Sequence, residues 1–300
     1  MIFLGDKMII EYADGQRFAL TFDKKKHGYY MLEDTHGTSH GVGQQELASG
    51  ESSHKKVPIQ SVTRVIDTCF PKNLHEWSVR EGANKFVEVL SERGFVRNEK
   101  KEVDEVYEQI IGAYKEVSSQ AAEVGDRVHN LISKRLSWTD PLGMGDLEEN
   151  AYGDEVSVCM SAFLDWARSR KVKFLRSEKI VYHHSHNPIY RFVGTLDAVV
   201  KIDGKLFVVD FKTSKKIYKH YHLQVAAYAA AYQKETSFIK DGGIDYPSVD
   251  GMILRLDKRT GKYQEKIFSL QHGKHFKIFK NCLEIKAWNS KRITGVKHVD

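Results

Sequence analysis

The stretch YRFVGTLDAVVKIDGKLFVVDFKT, residues 190–213, constrains this chain most, because two apolar runs are joined there by Asp203-Gly204. An Asp-Gly pair between such runs is a strong two-residue hairpin signal, since both loop positions of the favoured turn require positive φ. With that loop, Ile202 faces Lys205, Val200 faces Phe207, and Asp197 faces Asp210. Opposed side chains on an antiparallel pair lie about 4.5–5.5 Å apart at Cβ and share one face. Lys212, two residues past Asp210, joins that face. Phe207, Val208, Val209 and Phe211 make both faces of the second strand apolar, as in an interior strand. Two carboxylates in such a place repel, and burying them unpaired is costly. Lys212 supplies one positive charge. A divalent metal, Mg²⁺ or Mn²⁺, is the stronger candidate for the rest, because those ions take hard oxygen ligands. The plainer alternative is an exposed acidic hairpin with Lys212 as a surface ion-pair partner.

The remainder of the chain supplies layers for this hairpin. Residues 1–35 read as β, with Asp14-Gly15 between two strand-like runs, and the Gly/Ser/His-rich 36–56 reads as a linker. From Val57 to about Arg170 the periodicity predicts helices, starting with PIQSVTRVID. Strands follow at 174–183, 189–202 and 205–212, then a helix over 220–235, a strand pair within 251–268 and a basic helix over 272–289. The order gives an α/β fold with a mixed sheet. The domain reading is a β appendage plus linker at 1–56 and one main domain at 57–300. Within the latter, 57–170 is a helical arch or layer, 171–270 the sheet core and 271–300 a basic C-terminal helix. The net charge of +6 favours an anionic partner, and Lys212, Lys215, Lys216 and Lys219 form one basic cluster. Three widely spaced cysteines offer neither a disulfide framework nor a metal cluster and suit an intracellular protein. Nothing approaches a membrane span. His183, His184 and His186, in HHSH, read as a solvated turn rather than a metal site.

GTLDAVV, DFK and QVAAY, with GDRVH upstream, stand in an order that resembles the PD-(D/E)XK nuclease superfamily, and within it the RecB-like exonuclease branch. PIQSVTRVID and LHEWSVREGA are similar to the opening segment of mitochondrial genome maintenance exonucleases and their phage relatives. The resemblance spans about 57–260. It departs from the family at Asp126, where relatives often carry Thr or Ser after the glycine, and it lacks the four cysteines of iron–sulfur branches.

The resemblance implies a restriction-endonuclease-like core with a helical N-terminal insertion, and it implies site residues. Asp197, Asp210 and the Phe211 carbonyl would hold Mg²⁺ or Mn²⁺, and His129 would add a nitrogen ligand. Lys212 would position the attacking water and stabilise charge on the phosphate. Glu178 would be an acid facing the metal. Gln224 and Tyr228, one helical turn apart, would touch substrate or tighten the site. Lys215, Lys216 and Lys219 would meet the phosphate backbone, with Tyr218 and Tyr221 near enough to stack bases. Gly194 would permit close approach of a helix or of DNA to its strand. The implied activity is a metal-dependent DNA exonuclease acting on single-stranded ends, the helical arch guiding the strand and residues 1–56 recruiting a protein partner. The alternatives are a structure-specific or restriction-type endonuclease, and a catalytically idle nucleic-acid-binding factor.

Overall fold

In a computed structural model of the chain, the described residues are 2–4, 7–11, 17–23, 28–33, 55–71, 75–96, 99–136, 154–240, 243–245, 247–270 and 273–290. The organising element is the expected hairpin. β7 (Phe192–Ile202) and β8 (Lys205–Lys212) pair from Ile202↔Lys205 to Ala198↔Val209, in the register that the Asp-Gly loop dictates. Asp203 and Gly204 have φ of 49° and 80°, the two positive values that a type I′ turn needs.

β7 uses its two edges differently. β6 (Lys173–His183) runs antiparallel along one edge, from Lys173↔Lys201 to His183↔Phe192. The other edge is divided. β8 takes residues 198–202, and β5 (Lys55–Ser61) takes Phe192 and Val193 in parallel. Gly194 to Asp197 lie in the fork between the two partners. β8 continues the sheet in parallel to β11 (Val249–Leu256), which pairs antiparallel with β12 (Tyr263–Phe268). The sheet is therefore mixed, with helices on both faces.

The N-terminal strands β1 (Ile2–Leu4), β2 (Lys7–Glu11), β3 (Arg17–Asp23) and β4 (Gly28–Glu33) extend this sheet through β5. The β2–β3 pair is the hairpin expected around Asp14-Gly15, whose turn lies outside the described residues, as do 36–54 of the expected linker. One expectation is overturned: residues 57–61 of PIQSVTRVID are strand, and helix α1 covers only Val62–Cys69. Pro58 favours extended backbone around it, and the vacant edge of β7 offers hydrogen-bonding groups to Gln60 and Ser61. Tertiary pairing thus overrides the helical period up to Ser61, the N-cap.

Two cores flank the sheet. On one side α1, α5 (Lys219–Glu235) and α6 (Lys274–Asn289) bury Val62, Val225, Ala229, Phe279 and Leu283 against Val199, Val208 and Ile253. On the other, α4 (Asp154–Ser169) and the end of α3 (Lys100–Leu136) bury Phe163, Trp166, Val128 and Ile132 against Val200, Val209, Phe211 and Leu254. Period-2 alternation of β8 feeds both: Phe207, Val209 and Phe211 turn one way, and Val208 the other. α2 (His75–Arg93) packs along α3, with Gly82 against Ile110. β9 (Phe238–Lys240) and β10 (Gly243–Asp245) form a separate small hairpin not anticipated from the sequence. No helix among the described residues is long and apolar enough to cross a membrane.

HHSH is a solvated turn only in part: His186 is exposed at the bend, while the first two histidines are packed. His184 is buried and stacks on Phe18 at 4.4 Å, and His183 stacks on Phe192 at 4.8 Å. Burial holds both imidazoles down to about 4, so they pack as neutral rings. The N-terminal strands cover His184 through Phe18, and the bend itself stays exposed.

Gly194 explains how α5 reaches the fork. A Cβ there would stand 2.4 Å from Tyr228 Cε1 and 3.2 Å from Val62 Cγ2. Gly194→Ala is expected to destabilise the fold by about 1–3 kcal/mol, the usual cost of overpacking. Chemical denaturation checks this, and adding Tyr228→Ala should recover part of the loss, because the two changes share one space.

Candidate metal centre and active site

The fork in β7 is where the sequence-predicted residues meet. Beyond Ala198↔Val209 the ladder between β7 and β8 stops, and Asp197 Oδ2 accepts a hydrogen bond from the Phe211 N–H at 2.7 Å. The carboxylate replaces a backbone acceptor for the Phe211 N–H at the point where the strands part. Asp210 is fully buried, one position past the last pair on β8. Asp210 and Lys212 keep the same face by alternation, and Lys212 Nζ stands 2.6 Å from Asp210 Oδ2. That contact is a close ion pair off the hydrogen-bonding direction. Neither Asp210 oxygen has an aligned donor among the described residues.

α3 brings His129 into the fork from the opposite layer. Gly125, one turn earlier, lets the helix run close to the end of β8, where an added Cβ would sit 3.4 Å from Thr213 Oγ1. The unusual Asp126 beside it points to solvent. His129 Nδ1 lies 3.5 Å from Asp197 Oδ2, and Nε2 lies 3.0 Å from the Phe211 carbonyl, to which it donates. Phe211 O, expected to face a metal directly, is thus engaged by the imidazole. Glu178 completes the group from β6, with a φ of 45°. A non-glycine residue in the left-handed region within a strand is uncommon, and such strain concentrates at functional sites. Ligand atoms of His129, Glu178 and Asp197 all lie within 4.8 Å of one another.

The charges of these groups are strongly unequal. Burial lifts the Asp210 carboxyl to about 6; the Lys212 ammonium opposes the rise and the Asp197 charge adds to it. Burial also pushes Asp197 upward, but the His129 and Lys212 charges and the Phe211 N–H hold it below the ordinary carboxylate value. Burial raises Glu178, and Asp197 raises it further. His129 resists charging because it is buried, yet Asp197 lifts its imidazole to about 9. Burial likewise disfavours the Lys212 ammonium, but Asp210 and Asp197 outweigh it and raise the pKa. Neighbouring carboxyls with pKa values driven apart are the pattern that functional sites show.

These residues fit a divalent cation. His129, Glu178 and Asp197 form the converging group, with the hard carboxylate oxygens that Mg²⁺ or Mn²⁺ takes, and Asp210, a buried carboxylate without an aligned donor, lies near enough to feel the Asp197 charge but outside that group. His129 can ligate through Nδ1 once that nitrogen has lost its proton, with Nε2–H still donating to the Phe211 carbonyl.

The other expected residues take distinct places. Lys215 and Lys216 are exposed on the segment leading into α5, and Lys219 is exposed at the first position of that helix. Arg255, opposite Lys212 in the β8–β11 register, holds that segment by donating to the Ser214 and Lys215 carbonyls. Gln224 donates to the Tyr228 hydroxyl at 3.1 Å, and Tyr228 is only 3% exposed. Its burial against Gly194 removes Tyr228 from direct contact with a nucleic acid and leaves it the role of tightening the site. Tyr221 lies under Lys212, whose Nζ is 5.0 Å from the ring centroid, so it braces the lysine. Sequence reasoning missed Arg255 and Tyr29, whose hydroxyl is 3.3 Å from Thr195 Oγ1, two residues before Asp197. Neither carries a local signal, because each arrives from a strand whose neighbours only the sheet order reveals.

A profile of the PD-(D/E)XK nuclease superfamily matches residues 105–284, and the chain belongs to that superfamily. No curated protein matches the chain. PD-(D/E)XK nucleases use divalent metals, and membership implies metal-dependent cleavage of nucleic acid.

Protons and metal compete here, which fixes the sign of a pH effect. A cation held by these groups would need Asp210 charged and His129 neutral, so affinity should rise as pH climbs through about 6 and on toward 9. At a fixed Mn²⁺ concentration, the increase in melting temperature should therefore grow from about pH 5 to about pH 9. Asp197→Asn should lose most of this increase at every pH, as a thermal melt with and without metal will show.

Proposed function

We propose that this chain is a Mg²⁺-dependent DNA exonuclease of the RecB-like type, acting on single-stranded ends. The observation that carries the reading is the buried Asp210–Lys212 pair set beside Asp197, Glu178 and His129 at the end of two strands. The exonuclease branch is supported by His129 on the upstream helix and by the Gln224…Tyr228 pair, which in this chain tightens the wall behind Asp210.

Asp197, Asp210 and Glu178 would hold the cation, with His129 as a further ligand once neutral. When bound, the metal supplies an activated water and neutralises charge on the scissile phosphate. Lys212 stays protonated between the acids, held over the Tyr221 ring, and stabilises negative charge as it grows on the phosphate. Lys215, Lys216 and Lys219 attract and align the backbone. Acidic residues outnumber basic ones along 75–126, so the helical arm is poorly suited to guide a polyanion. The strand path is assigned instead to the lysine segment before α5.

Residues 1–56 are proposed as a partner-binding extension, since their strands carry the sheet out to an edge at β1 that another chain could pair with. The three free cysteines accord with a reducing intracellular setting.

Asp210→Asn should nearly abolish cleavage. Lys212→Ala should lower kcat by a factor of about 10² to 10³ while binding falls only modestly, because many phosphate contacts remain. A gel time course with linear and covalently closed circular single-stranded DNA in Mg²⁺ checks the activity class. Loss of the linear strand alone supports an exonuclease. Cutting of the circle identifies an endonuclease, and wild-type rates in both variants would overturn the site.

A further inference from the structure

We propose that Phe70, His220 and Tyr218 form a stacking platform for unpaired bases, which admits a single strand to the metal centre and turns away a closed duplex. The inference rests on the nuclease reading and specifies its substrate.

The three rings come from two distant segments. Phe70 caps the C-terminus of α1, while Tyr218 is the N-cap of α5 and His220 stands in its first turn. Packing of α1 beside α5 puts Phe70 and His220 in a stacked arrangement, with centroids 6.1 Å apart and planes 26° from parallel. His220 and Tyr218 continue the row at 5.7 Å and 19°. The outer members remain open to solvent, Phe70 at 39% and Tyr218 at 38%. Single exposed aromatic residues need no explanation, but three aligned rings beside an active site do.

The row is continuous with the catalytic residues. Tyr218 meets Tyr221 edge-on at 5.5 Å, and Tyr221 lies under Lys212, which pairs with Asp210. Lys216 Nζ sits 5.3 Å from the Tyr218 ring centroid, and Lys215 and Lys219 are exposed on the same segment. Flat apolar faces next to ammonium groups match a ligand of alternating bases and phosphates. Every base has a π-face, so such a platform tolerates any sequence. Within a duplex each base face is already covered by its neighbours, so only an unpaired or terminal base can reach these rings. A protein partner would find little apolar area here and a surplus of positive charge.

The test uses metal-free protein and a single-stranded oligonucleotide carrying 2-aminopurine, whose fluorescence is quenched on stacking. Wild type should quench the probe. Tyr218→Ala and Phe70→Ala should each reduce the quench, and the double variant should bind single strands about tenfold or more weakly. Affinity for a blunt duplex should stay the same, and Tyr218→Phe should restore wild-type behaviour. Both end residues are substantially exposed, and a thermal melt verifies that each single variant is folded. Wild-type single-strand affinity and quench in the folded Tyr218→Ala and Phe70→Ala variants would overturn the platform, as would an equal loss of duplex binding. If the wild type quenches and the variants do not, yet no substrate is cut in Mg²⁺, the platform stands and the nuclease reading fails. Cleavage of single strands at unchanged KM in the variants would have the opposite meaning.

Discussion

The division of one strand edge between two partners underlies most of this structure. A strand has two rows of hydrogen-bonding groups, and β6 occupies one row of β7 along nearly its whole length. β5 and β8 share the other, approaching from opposite ends and leaving Gly194–Asp197 in the gap. A backbone left open in a core would be costly, and the protein answers with side chains and a helix. Asp197 accepts the Phe211 N–H, His129 donates to the Phe211 carbonyl, and Tyr228 closes over Gly194. The groups that repair the fork are those that define the candidate centre.

That origin also explains the electrostatics. Pairing in the interior hairpin forces Asp210 into complete burial, where its charge is opposed by low polarity and by Asp197. Lys212 compensates in part, but its contact with Asp210 is close without being aligned. A buried acid left partly unsatisfied is expensive as structure, which makes a purely structural role for the cluster a poor account of it. A divalent cation bound there would offset the same buried charge.

Much of this was legible locally. Asp203-Gly204 set the turn type and hence the pairing of 198–202 with 205–209, because a two-residue loop leaves the register no freedom. Alternation placed Lys212 with Asp210, and the helical period placed Gln224 with Tyr228. The misses share one cause. Residues 57–61 follow a helical period yet form a strand because β7 has a vacant edge, and His183 and His184 are polar yet packed because Phe192 and the N-terminal Phe18 stack on them. Tyr228 follows the motif spacing, but whether it meets substrate or lies sealed in the core depends on which strand residue lacks a Cβ.

The sequence alone determined the hairpin, its two acids, the lysine beside them and the superfamily those motifs imply, since turn geometry and side-chain period act over a few residues. Only the tertiary structure decided that the strands part at Asp197, that His129 spans the opening, that Arg255 secures the lysine segment and that Phe70 aligns with His220. Those contacts join residues far apart in the chain, and they arise from how layers pack and how sheet edges are filled. Neither is written in any local pattern.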